Sequence, residues 1–240
     1  KIPGYAESET LREAEEAAGE EHEQAFGRLP NSALDSTSGS LGASWVGRSG
    51  FFGAAWTGFD TLYGIPGAHA HGEDEHEGDK EQADGEVHGA VRVDLRQRRF
   101  DVRATRSAPF GAFRGAKLRF GLSDYQHQEL EGDAVGTLFT NDAWEGRLEL
   151  QHKPRGAVTG SFGVQLGGRD FEAVGDEAFV PPSETRSVAL FAFEEVGEGA
   201  WRGQAGARFE HQSVEALGGV GLERRFDAAS ASLGALYRGA

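Results

Sequence analysis

The 240-residue chain carries a formal net charge of −15 and contains neither Cys nor Met. The acidic balance argues against a nucleic-acid partner, because phosphate binding needs a Lys/Arg surplus to displace counterions. Without Cys there are no disulfides, thiolate metal sites or thiol nucleophiles, so any metal would be held by His and carboxylate.

The length suits one large β domain or two ordinary ones, and the composition does not divide it. No apolar run approaches the roughly 20 residues of a membrane-spanning helix. The first residues, Lys1-Ile2-Pro3-Gly4-Tyr5, do not form a signal peptide. Neither absence excludes an outer membrane: a barrel strand needs only about 10 alternating residues, and a mature chain or fragment has lost its signal.

Residues 1-36 read as an acidic insert. Glu7 to Ala18 is rich in helix formers with almost no apolar face, which fits a solvated helix or disorder. Leu29-Pro30-Asn31-Ser32 marks a turn, and 37-240 reads as one β unit. From Thr37 the apolar pattern has period two, the signature of strands with two unlike faces. Leu41, Ala43 and Trp45 alternate with Ser40, Gly42 and Ser44, and after Arg48-Ser49-Gly50 a second strand, 51-62, completes a hairpin. A third strand, about 90-106, starts with Val91, Val93 and Leu95 on one face and ends with Phe100, Val102 and Ala104 on the other, which predicts a bulge near Gln97-Arg99.

Further strands follow around Leu118-Leu122, Leu138-Gln151, Val158-Arg169, 186-196, Trp201-Glu210 and 225-238. The fifth is typical: Leu138, Trp144, Leu148 and Leu150 share one parity, Asn141, Glu145, Arg147 and Glu149 the other. Connections alternate in length. Those at 48-50, 107-116, 153-157 and 197-199 are short; those at 63-89, 129-137, 172-185 and 214-224 are longer, polar and acidic. Outer-membrane barrels show this asymmetry. A soluble antiparallel β protein, with one face in a core and the other in water, gives the same alternation.

The stretch 64-88 concentrates half of the eight histidines. His69, His71, Asp74, His76 and His88, with Asp84 and Glu86 among them, offer imidazole and carboxylate ligands of the kind zinc accepts, usually four at a time. Its Gly and acid content predicts a long loop between two strands. A mobile loop of this composition would capture metal rather than catalyse; equally, it could be a solvated acidic surface. His22 sits in a charged insert, His127 and His211 read as ordinary surface histidines with the mouth of a lumen as the alternative, and His152, by a short turn, is the poorest candidate. No Gly-x-Ser-x-Gly, phosphate-binding loop or His-Glu-x-x-His occurs, so no enzyme and no cofactor is expected. Glu145, Arg147 and Glu149 read as hydrophilic lining.

Several motifs occur in order: Leu29-Pro30-Asn31-Ser32, Gly39-Ser40-Leu41-Gly42, Phe59-Asp60-Thr61-Leu62-Tyr63-Gly64-Ile65-Pro66-Gly67 and Val93-Asp94-Leu95-Arg96-Gln97. They continue with Asp124-Tyr125-Gln126-His127, Phe139-Thr140-Asn141-Asp142, Glu145-Gly146-Arg147-Leu148-Glu149-Leu150, Arg169-Asp170-Phe171 and Gly175 to Pro182. The series resembles the barrel region of TonB-dependent outer-membrane receptors, in particular the branch associated with uptake of zinc or other metals.

The resemblance implies an all-β fold, an antiparallel transmembrane β-barrel segment of about nine strands from a larger barrel. It also implies residence in a bacterial outer membrane, contact with its lipid, and import of a metal ion or metal complex, with zinc as cargo. Energy would come from the TonB inner-membrane complex through a plug. Such receptors have an N-terminal plug and a barrel of about 22 strands, whereas no plug is read here. The expectation is the middle of a receptor, or a truncated one, that transports nothing by itself. A siderophore or other organic ligand is the alternative cargo, and a soluble or surface β protein that sequesters metal is the alternative class.

Overall fold

The computed structural model describes residues 29, 31-69, 90-132, 134-175, 178-219 and 221-239. These form nine strands: β1 Leu34–Gly47, β2 Gly50–His69, β3 Ala90–Arg106, β4 Phe113–Glu131, β5 Ala134–His152, β6 Val158–Gly175, β7 Ser183–Glu198, β8 Trp201–Ala216 and β9 Leu222–Tyr237. They make one antiparallel sheet in chain order, each strand bonded to its sequence neighbours. The number, order and direction of the strands agree with the period-two reading.

The strands are longer than the alternation predicts. The connection expected at 129-137 is only residues 132-133, and those expected at 172-185 and 214-224 shrink to 176-182 and 217-221. At the other end of the sheet, 107-112 and 153-157 are of similar length. The long-short asymmetry therefore survives only at 70-89. The cause is that the ladder continues where neither face needs to be apolar: Gln126 still pairs with Thr140, and Gln128 with Leu138. Alternation reports which face is buried, not where pairing stops.

The bulge expected near Gln97-Arg99 is absent. β3 keeps one register with β4 from Val91 to Arg106 and with β2 from Arg92 to Arg106. What changes along β3 is the chemistry of each face. Val93 and Leu95 lie on the same face as Arg99, Asp101 and Arg103, while Phe100, Val102 and Ala104 share the opposite face with Arg92, Asp94, Arg96 and Arg98.

Register extends these two faces across the sheet. Of the buried residues other than glycine, Thr61, Val93, Thr137, Ala173 and Ala189 fall on one face, and His152, at the short-turn end, falls on the other. Side chains converge on the concave side of a curled sheet and spread apart on the convex side, so the face of Thr61 and Val93 is the inner face. The outer face carries a continuous apolar band in register: Leu41, Trp56, Phe100, Leu122 and Trp144 in one row, then Trp45, Phe52, Ala104, Leu118, Leu148, Val164 and Leu190 two rows below. Thirty large apolar side chains are exposed among the described residues, against three buried apolar residues. That inverts the arrangement of a soluble domain, which exposes only small apolar patches.

The band has sharp limits. Past it, toward the 70-89 end, the first titratable outer side chains are Asp60, Arg98, Asp124, Asp142, Asp170, Arg186, His211 and Asp227 on β2 to β9. Many pair within this girdle: Asp60 with Arg98 at 2.8 Å and Arg96 at 3.5 Å, His211 with Asp227 at 2.8 Å. Aromatic residues mark both borders. Trp56 and Trp144 stand next to the charged girdle; Trp45 and Trp201 stand near the short turns, where Trp201 packs on Tyr237 with ring centroids 4.8 Å apart. Amphipathic rings at both edges of an apolar belt are what a membrane interface selects.

Candidate functional site

The His/acid stretch hangs from the ends of β2 and β3, and its stem is held by one residue outside both. Asn31 adopts φ 52°, a left-handed conformation that Asn tolerates better than most side chains. From there its Nδ2 donates to Ile65 O at 3.0 Å and Val91 O at 2.7 Å. Gly64 N–H donates to Ala33 O at 3.0 Å, and Ser32 Oγ to Leu29 O at 2.6 Å. Gly64 is required here because a Cβ would collide with Asn31. The turn Leu29-Ser32 thus clamps together the two strands that carry the metal-ligand candidates, across a register shift between Gly64 and His69.

Of those candidates, His69 is the last residue of β2 and its backbone pairs with Ala90. His71, Asp74, His76 and His88 lie outside the described residues, as does His22. Among the described residues, no three His, Cys, Asp or Glu stand together in a way that could hold a metal.

The inner face near the same end presents an aromatic cluster. His127 stacks on Phe139 at 4.4 Å and 16°, and meets Tyr125 edge-on at 5.6 Å. Its Nδ1 is buried and has no hydrogen-bond partner. Tyr63 and Phe171 share this face through the pairs Tyr63↔Val93 and Asn141↔Phe171. His127 therefore lies on the inner face, toward its 70-89 end. His211 does not: it lies on the outer face in the charged girdle. His152 also lies on the outer face, at the short-turn end, bonded to Lys153 O at 2.7 Å and Glu194 Oε2 at 2.9 Å.

Deeper along the inner face the lining is charged. Lys117 meets Glu149 at 3.1 Å, Arg208 meets Glu210 at 2.9 Å, and Arg147 donates to Gln165 at 3.1 Å while its guanidinium lies 3.7 Å from the Phe191 ring centroid. Parity alone assigns Glu145, Arg147 and Glu149 to this wall. The cross-strand partners Arg103, Arg119, Phe139 and Phe171 could not be found that way, because they depend on register.

Two solved structures share this architecture. The FrpB iron transporter from Neisseria meningitidis (F5-1 variant) matches with a TM-score of 0.67 at 9% identity, over 88% of this chain and 36% of that one. The nine strands have the fold of a stretch of transmembrane β-barrel wall. Copper transporter OprC matches with a TM-score of 0.57 at 11% identity, over 88% of this chain and 34% of that one. At such identities the likeness is one of fold, and the chain spans about a third of the length of the structures it matches. No family model matches the chain. On that fold the outer apolar band takes the lipid-facing position, and the inner face with His127, Tyr125 and the charged lining takes the lumen-facing one.

Proposed function

We propose that this chain is a section of a bacterial outer-membrane transporter that imports metal, with the 70-89 end outward. The observation that carries this reading is the lipid-facing band bordered by tryptophans on a sheet whose fold is that of iron and copper transporters. The strands run well beyond the band only on the 70-89 side, so that side projects furthest from the bilayer. The acidic His stretch is placed there to collect cations before they reach the lumen. Transport itself needs further wall strands and a plug through which the TonB complex acts, since an open sheet of nine strands encloses no lumen and leaves two edges to be paired.

The cargo is a metal ion or metal complex. Zinc rests on the ligand set His69, His71, Asp74, His76 and His88, because neutral imidazole with carboxylate suits it; the names of the two similar structures supply iron and copper instead. Isothermal titration of the detergent-solubilised chain with zinc tests the assignment. Saturable binding that is lost when His69, His71, His76 and His88 are all changed to Ala is expected. Equal binding by both proteins would remove the stretch from the account and leave an organic metal complex as the cargo.

A further inference from the structure

Three arginines stand side by side on the lumen surface. Arg103 pairs with Arg119, and Arg119 with Arg147, so three guanidinium stems emerge from adjacent strands about 4.8 Å apart. Each lies at bilayer depth, between lipid-facing neighbours: Val102 and Ala104, Leu118 and Phe120, Gly146 and Leu148. Like charges directly opposite on a sheet repel; three nearby carboxylates are bonded to other cations, and Glu145, two residues from Arg147 on β5, shares the face one row away. Asp101 takes two bonds from Arg99 at 2.8 and 2.9 Å, Glu149 takes Lys117, and Glu210 takes Arg208. Gln165 Oε1 is shared by Arg147 and Arg208 at 3.1 and 3.2 Å. Among the described residues no ion pair joins Arg103, Arg119 or Arg147 to a carboxylate.

Beside this row the wall is hollow. An open hollow of about 410 Å³ lies over β1 to β3, floored by Gly42, Gly53 and Ala55 and edged by Asp101 and Arg103. That is the size of a small-molecule site. Guanidinium forks bind carboxylate and phosphate in a two-point manner that a point charge does not.

We infer that the hollow and the arginine row form a binding site for a small multivalent oxyanion, one bearing at least two carboxylate or phosphate groups. The site rests on the barrel-wall reading of the sheet but not on the identity of the metal cargo. The repulsion along the row is relieved when the anion arrives, which favours binding over an empty wall.

Titration calorimetry on the detergent-solubilised chain at low ionic strength, with citrate and with pyrophosphate as probes, tests this. Binding of at least one probe is expected, weakening steeply with added salt. The double variant Arg103→Gln/Arg119→Gln should bind at least about tenfold more weakly, and Ala55→Leu should lose binding by filling the hollow without changing charge. Circular dichroism and the urea midpoint of each variant, unchanged or raised, keep the comparison free of unfolding. Absence of binding by the native chain, equal binding by the arginine variant, or binding of a polyglutamate peptide but neither probe would each overturn the site. None of these results bears on zinc binding by the His stretch, which is measured separately.

Discussion

At the scale of single residues, the short-turn end of the wall is fastened by a contact across an intervening strand. His152 on β5 and Glu194 on β7 meet over Gly160 of β6, where a Cβ would collide with the Glu194 carboxylate and Phe193 O. Gly160→Val should break the bridge and lower the stability of the chain. Urea titration of the chain folded into vesicles measures it. His152 lies two residues past Leu150, the last apolar outward side chain of β5, and so beyond the apolar band of that strand. Both its ring nitrogens face acceptors, and the Lys153 carbonyl, then the Glu194 carboxylate, raise its pKa above the ordinary value. A raised folded pKa means that the stabilisation is full below the unfolded value of about 6.5 and is lost as pH rises through the folded one. The urea midpoint should therefore fall as pH rises above about 6.5, and His152→Gln should flatten that slope. An unchanged slope in the variant would show that His152 is not its source.

At the scale of strands, β3 explains both what the sequence reveals and what it conceals. Its two faces exchange character halfway along, and alternation read alone turns that exchange into a bulge. The register shows an unbroken ladder that crosses the edge of the bilayer: Phe100, Val102 and Ala104 face lipid, while Arg92 to Arg98 on the same side stand above it. For the same reason the polar extensions of β4, β5, β8 and β9 resemble loops in sequence. Gln126 and Gln128 carry no apolar signal because both faces there are wet. Existence, order and face of each strand were legible from parity; strand ends and cross-strand partners were not, since pairing is a relation between distant residues. The band is tested by depth. Leu118→Arg, within it, should destabilise the membrane-folded chain by about 2–4 kcal/mol, and Asp124→Arg, in the girdle, by about 0–1 kcal/mol. Equal costs at both positions would show that the outer face does not meet a bilayer.

At the scale of the whole molecule, the sheet is a wall with two surfaces. The outer one is apolar between two aromatic borders; the inner one carries an aromatic mouth at His127 and Phe139 and the charged lining below it. The Asn31 clamp ties the turn before β1 to the stem of the metal-ligand candidates at the same end. The ligand chemistry of that stretch was legible as composition, but its geometry was not, because Gly, His and acid at such density encode no fixed backbone. All four tryptophans of the chain lie on the outer face: Trp45 and Trp201 at one border, Trp56 and Trp144 at the other. Their fluorescence in vesicles of lipids brominated at different acyl depths is the most direct test of the central claim, that this face is embedded in a membrane. The account predicts blue-shifted emission, strongest quenching by bromines placed near the headgroups, and protection from aqueous iodide. Emission quenched by iodide and indifferent to brominated lipid would contradict it.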